Sequence, residues 1–285
     1  MLTAVVVHRD RAGACVDTGR ALLAQGVDRL IVVDNGSPAG AVATVRAGLP
    51  SAEVVELGVN AGFGPGANAG LRHWLDGAEG EWVLVVPHDA QPQPGCVATL
   101  VTAAAQRPRA GLACAEYGEG ELNLRPMVNR FAGGIFGPSE RLPGWEACDY
   151  PHGTMLLARR ECLEEIGLFD ERYFAYCEET DLGIRAAAAG WEIGIVWGAV
   201  VHNPGMGSGR GVPEYLMLRN SLHLVRWHFG RAPAAAQWLA AGWITVRASL
   251  GGRQPLFWHR RGRFLALRDY ALARTGPPPV SLTEG

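Results

Sequence analysis

Apolar and polar positions come in alternating blocks along the first hundred residues. LTAVVV (2–7) is an unbroken apolar run of strand length, and RLIVVDNGS (29–37), AEVVELG (52–58) and EWVLVVPHD (81–89) are three more strand candidates. Between them, VDTGRALLAQG (16–26), residues 38–49, the stretch that follows the Gly-rich segment 60–70 through about Asp76, and CVATLVTAAAQ (96–106) carry helical patterning. Strands apolar on both faces, separated by helices of this length, predict an α/β fold with a mostly parallel sheet covered on both sides. Segment 111–150 is rich in Gly and Pro and reads as a long irregular loop, which is usually functional or mobile. Order returns with GTMLLARR as a strand, ECLEEIG as a short helix, an acidic stretch heading a helix to about Gly190, and WEIGIVWGAVVH as a strand. From 214 onward the chain reads as helical and basic, and TGPPPVSLTEG at its end reads as disordered.

Composition narrows the field. A chain of 285 residues with 48% hydrophobic and 19% charged residues can bury a large core. A formal net charge of −2 argues against nucleic acid as a partner. The six cysteines, at 15, 96, 114, 148, 162 and 177, form no C-x-x-C pair and read as free thiols of a reducing compartment. MLTAVVVHRD lacks a basic leader, and no run reaches the ~18 apolar residues of a membrane span. A cytoplasmic protein is expected, with peripheral contact to a membrane left open.

Ligands on open α/β sheets bind beyond the carboxyl ends of the strands. There the sequence places His8 and Arg9, Asp34 and Asn35, Asn60, and His88 and Asp89, which suggests one shared crevice. Asp34 can accept hydrogen bonds from a nucleobase or ribose, or can cap a turn with Asn35 and Ser37. NAGFGPGANAG (60–70) offers Asn60, Gly62, Gly64 and Asn68 in a loop entering a helix, suited to phosphate or simply to a tight turn. Asp89 is a candidate ligand for a hard cation that also binds substrate phosphates, or a turn residue. In YCEETDLGIR (176–185), Glu178, Glu179 and Asp181 complement a helix dipole, which explains one or two of them but not three after an apolar lead-in. Glu178 and Asp181 share a helical face, and Glu179 points about 100° away from Glu178. His202, at the end of GAVVH, is a structural histidine or a metal or phosphate contact.

Taken in order, VVDNGS, NAGFGPGANAG, VLVVPHDAQPQPG, DYPHGTMLLARRECLEEIGLFDERYFAYCEETDLGIRAAAAGW, VVHNPGMGS and EYLMLRN resemble a family-2 glycosyltransferase of GT-A fold, in its rhamnosyltransferase-like branch. The resemblance covers about 1–225. It implies a Rossmann-like GT-A domain with a nucleotide-sugar-binding half (1–110) and an acceptor and catalytic half (111–205), followed by a helical extension (206–285). It implies an inverting transfer from a nucleotide-diphosphate-sugar to a hydroxyl of a glycan, lipid-linked or small-molecule acceptor. A divalent metal, Mg2+ or Mn2+, is implied on Asp89 and His202. Asp34 matches the residue that meets the base or ribose, and Asn35, Asn60, Gly62, Gly64, Asn68 and His88 fall in the donor-binding strings. Arg219 matches an arginine near the phosphates. The catalytic-base pair falls on Glu178 and Glu179, with Asp181 after it. Two departures stand out: Pro87 occupies the first acidic position of the family's D-x-D, and Glu179 stands where Asp is usual. A nucleotidyltransferase and a catalytically inactive sugar-nucleotide-binding module are the competing readings, and the C-terminal helices are a candidate dimer surface.

Overall fold

The computed structural model describes residues 1–77, 80–118, 124–203, 211–255 and 258–282. A nine-stranded sheet forms its centre. The first three strands, β1 (Leu2–His8), β2 (Arg29–Asp34) and β3 (Glu53–Glu56), pair in parallel, and β4 (Trp82–Pro87) pairs with the other edge of β1. Their side chains alternate between two apolar layers. Ala4 and Val6 enter one core with Leu22, Leu30 and Leu84, while Val5 and Val7 enter the other with Ile31, Leu71 and Trp74. The strand period of two thus explains why the sequence shows runs with no polar face.

Helices α1 (Ala12–Ala24), α2 (Ala39–Gly48), α3 (Phe63–Asp76) and α4 (Cys96–Ala105) connect these strands and the next. Helix α3 begins earlier than the sequence suggests, because the Gly-rich stretch is itself its first turns. At Gly70 a Cβ would lie 2.4 Å from Val5 Cγ1, so the glycine lets α3 press onto β1.

Segment 111–150 is not the irregular loop expected. It holds most of β6 (Ala110–Tyr117), a separate hairpin of β7 (Leu124–Asn129) and β8 (Gly133–Pro138), and β9 (Gly144–Ala147). Glycines in β8 are packing requirements rather than loop signals: at Gly137 a Cβ would meet Met127 Sδ at 2.1 Å. Strand β10 (Leu156–Arg159) runs antiparallel between β4 and β6, and β11 (Glu192–His202) pairs in parallel with β6. The short β5 (Gln91–Pro92) closes the edge against the end of β11. Helices α5 (Arg160–Ile166) and α6 (Glu178–Ala188) lie between β10 and β11.

Three helices, α7 (Gly211–Phe229), α8 (Arg231–Ser249) and α9 (Arg260–Ala271), form the C-terminal layer. The tail is docked rather than disordered as far as Leu282. Gly276 N donates to Arg172 O at 3.1 Å, and Leu282 packs with Tyr215, Leu216 and Ala266. All six cysteines are free thiols, as expected.

Candidate active site

Parallel register sets His8 beside Asp34 at the carboxyl edge of the sheet, with Val7 beside Pro87. Pro87 has no N–H, and His88 N donates to Val7 O at 3.1 Å instead. His8 Nδ1 and Asp34 Oδ1 lie 3.0 Å apart, and Ser37 N donates to Asp34 Oδ2 at 3.0 Å. The Asp34 carboxylate therefore holds the 34–37 turn as well as lining the crevice edge. Asn35 reaches across to the Gly-rich loop, with Nδ2 donating to Gly62 O and Oδ1 accepting from Ala61 N, each at 2.8 Å. Asn60 Oδ1 accepts from Gly62 N at 3.2 Å. Gly62 itself has φ +100, and a Cβ there would sit 2.0 Å from Phe174 O. The next residue, Phe63, donates its N–H to that same carbonyl at 2.7 Å. A Cβ on Gly64 would lie 3.5 Å from Cβ and Cγ of Glu178. The glycine loop and the acidic motif, more than a hundred residues apart in sequence, are thus neighbours.

At the end of β4, the rings of His8 and His88 meet edge to face with centroids 5.9 Å apart, and Nε2 of each is buried without a partner among the described residues. Burial pushes the His88 pKa down, so the ring is neutral near pH 7. Asp89 is only 12% exposed at its side chain and accepts from Arg11 NH1 at 3.1 Å. His202 pairs with Gln91 across β5 and β11, two residues from Asp89 in sequence, and its Nε2 is engaged with Gln93. A carboxylate just before β5 and an imidazole on the β11 end that β5 pairs with are residue types suited to a divalent ion that draws further ligands from substrate phosphates. Among the described residues there is no group of three or more His, Cys, Asp and Glu placed to hold a metal, so the protein side of such a site is sparse.

The acidic helix start is built differently. Tyr176 and Cys177 both take positive φ, 67° and 76°, a backbone region that costs non-glycine residues energy. Asn220 from α7 braces this turn, its Nδ2 donating to Ala175 O at 2.8 Å and Tyr176 O at 3.0 Å. Glu178 follows, 4% exposed and facing α3. Glu179 is half-buried and faces the 150–154 turn, its Oε1 lying 3.6 Å from where a Cβ on Gly153 would be. Oε2 of both glutamates is buried without a hydrogen-bond partner among the described residues. Burial raises the pKa of each above the usual carboxylate range. The Glu179 charge adds to the rise at Glu178, whereas His152 draws Glu179 partly back. Neither glutamate joins a described ion pair, in contrast to Asp181 with Arg185 and His228.

The remaining candidates brace the fold. Asp181 shares the helix face of Glu178, but its two oxygens are held by Arg185 Nε at 2.8 Å and His228 Nε2 at 2.7 Å. Asn68 Oδ1 accepts from Phe169 N, and its Nδ2 donates to Phe169 O and Glu171 Oε1, tying α3 to the loop before the acidic motif. Arg219, expected near phosphates, is fully buried. It donates to Tyr215 Oη, Asn220 Oδ1 and Gly276 O, and through Asn220 it supports the strained turn. Sequence reasoning passed over Arg11, His152, Asn220 and His228. His152 and Asn220 lie inside strings already noted, DYPHG and EYLMLRN, but nothing local marks their roles.

Comparison with known proteins identifies the family and the fold. The profile described as Glycosyl transferase family 2 matches residues 4–167. An N-acetylglucosaminyl-diphospho-decaprenol L-rhamnosyltransferase of Mycobacterium tuberculosis is 29% identical over 272 residues, covering 81% of this chain and 86% of that protein. The low-salt glycan biosynthesis hexosyltransferase Agl10 of Haloferax volcanii is 26% identical over 78% of this chain and 76% of its own length. Among solved structures, the mannosyltransferase PcManGT from Pyrobaculum calidifontis, in complex with GDP-Man and Mn2+, superposes with a TM-score of 0.62 at 18% identity. That match covers 95% of this chain and 85% of the other, and it shows a shared GT-A fold.

Proposed function

The chain belongs to glycosyl transferase family 2 and is a glycosyltransferase that uses a nucleotide sugar, and from that premise we propose an inverting transfer of a deoxyhexose, such as rhamnose, to a lipid-diphosphate-linked glycan. The single observation carrying the mechanism is the acidic helix start. Of its three carboxylates, Glu179 alone is both accessible and free of a bound cation. The likeness to a rhamnosyltransferase with a prenyl-diphosphate acceptor supports the substrate class.

In this reading, residues 1–110 hold the donor and 111–205 present the acceptor, with 206–285 bracing the catalytic turn. Glu179 takes the proton of the acceptor hydroxyl as its oxygen bonds to the anomeric carbon. The bond from that carbon to the diphosphate oxygen breaks on the opposite face, which inverts the centre, and the nucleoside diphosphate leaves with the electron pair. The raised pKa suits Glu179 to this task, since a base works best when its pKa approaches the working pH. Asp89 and His202 would hold a divalent ion, which would supply positive charge for the departing diphosphate. Asp34, Asn35 and Asn60 shape the donor pocket, largely by fixing the loops that form it. The reaction would take place in the cytoplasm.

The test is transfer of labelled sugar from dTDP-, UDP- and GDP-sugars to a lipid-diphosphate N-acetylglucosamine, with the product's anomeric configuration read by NMR. The expected result is transfer from a dTDP-deoxyhexose with inversion. Retention would overturn the mechanism, and binding of donors without transfer or hydrolysis would establish a non-catalytic module.

A further inference from the structure

Helix α8 exposes large apolar side chains along its outer side. Its sequence, RAPAAAQWLAAGWITVRAS, contains two arginines and no acidic residue. It packs on its neighbours through Pro233, Ala234, Ala241, Thr245 and Ala248. Trp238 Nε1 donates to Leu267 O at 3.0 Å and Arg263 Nε to Thr245 Oγ1 at 2.8 Å, so this packed side faces α9. The opposite side is also apolar. At ~100° per residue, Ala232, Ala236, Leu239, Trp243, Val246 and Leu250 form one outward stripe. Leu239 is 63% exposed, Trp243 69% and Leu250 83%. A helix that is apolar all round is ordinarily enclosed, and this one is enclosed on one side only.

The charge around the stripe is equally lopsided. Between 226 and 274 the chain has nine arginines against a single acid, Asp269, within a protein of net charge −2. Asp269 is already taken by Arg268 and Arg274, and Arg263 by Glu214. Arg226, Arg231, Arg247, Arg253, Arg260 and Arg261 are exposed, and no described carboxylate pairs with them. Arg226 and Arg231 also rim a shallow groove floored by Ala235, Trp238, Tyr270 and Ala271.

We propose that α8 lies in the plane of a bilayer surface, with its outward stripe sunk among acyl chains and the flanking arginines on anionic phospholipid headgroups. Charge selects this occupant. A second copy docked about a two-fold axis would set the same patch against itself, opposing arginines to arginines. A bilayer surface supplies apolar depth and negative headgroups together, the combination that holds amphipathic and basic helices in the interface. The helix does not span: no described helix is long and apolar enough to cross a membrane. The docking does not depend on which sugar the enzyme transfers.

The test is sedimentation of the full chain with vesicles of phosphatidylcholine, with or without phosphatidylglycerol, at low and high salt. Wild type should bind the phosphatidylglycerol vesicles, and high salt should weaken that binding. L239E/W243E should reduce partitioning by more than about tenfold. R247Q/R253Q should reduce it by roughly fivefold per charge on the anionic vesicles alone. Both variants alter exposed side chains, and an unchanged melting temperature confirms their fold. Failure of wild type to sediment with anionic vesicles at low salt overturns the proposal, as does equal sedimentation of L239E/W243E. A wild-type dimer by light scattering that becomes monomeric in L239E/W243E, with no vesicle binding by either, assigns the stripe to a second copy instead.

Discussion

The two edges of the crevice treat their acidic residues differently, although Nε2 of His8 and of His88 on the first edge is also buried without a described partner. On the nucleotide side, Asp34, Asn35 and Asp89 are engaged by His8, Ser37, the 61–62 backbone and Arg11. On the acidic-helix side, Glu178 and Glu179 each leave a buried oxygen without a partner among the described residues, directly after two residues in left-handed backbone. Satisfied networks stiffen a scaffold, whereas buried polar atoms without partners carry a desolvation cost that the surrounding structure must offset. The difference teaches that the 34–37 and 60–62 loops are held by mutual hydrogen bonding, and that the acidic turn stores unfavourable energy at the residue proposed as base.

Removing the charge of the proposed base gives the largest test of that contrast. Glu179→Gln should lower turnover by about 10²–10⁴-fold, while donor affinity, read by thermal shift, stays near wild type. Asp181→Asn should instead lower the melting temperature, because it weakens the bonds to Arg185 and His228. If Asp181→Asn lost turnover at full stability while Glu179→Gln retained it, the assignment of poised and bracing carboxylates would be reversed.

Chelation tests the nucleotide side. Activity should collapse in EDTA and return with magnesium or manganese. His202→Ala should raise the metal concentration needed by roughly tenfold or more, the usual scale for losing part of a metal's support. Full activity in EDTA would mean that Arg11 and the strand-end histidines handle the diphosphate without a metal.

Gly62 joins the two sides. Gly62→Ala would drive a Cβ into Phe174 O and force φ +100 on an alanine. A loss of about 3 kcal/mol is expected in urea unfolding, together with weaker donor binding. A variant as stable as wild type would mean that the glycine loop and the 174–177 turn are not mechanically joined.

Much of this was legible before the structure. Strands β1, β2 and β4 were plain because strands covered on both faces leave no polar residue to interrupt the run. The acidic cluster stood out because helix-start electrostatics accounts for only part of it. The hairpin of β7 and β8 was hidden, since glycines there serve close packing and read like a loop. Roles were harder than places. Asn68 meets Phe169 and Glu171, Asp181 meets His228, and Arg219 meets Gly276, all partners far away in sequence. A residue type predicts what a side chain can do, but only the fold decides whether its capacity is already used.

The smallest expected effect probes the stored energy directly. Glu178 is buried, and its pKa lies well above the usual value because of desolvation, with the Glu179 charge as the second cause. The group is neutral in both folded and unfolded states below the unfolded pKa, so it costs the fold nothing there. As pH rises above that value, the unfolded chain ionises first, and stability falls until the folded pKa is passed. Glu178→Gln removes the titration without removing the volume. Its melting temperature should match wild type near pH 4 and exceed it at pH 8, by ~2–4 °C if the burden is about 1 kcal/mol. Turnover should change far less than in Glu179→Gln. A variant no more stable than wild type at pH 8 would mean that Glu178 is solvated or paired in solution, and the contrast between the two edges would then rest on Glu179 alone.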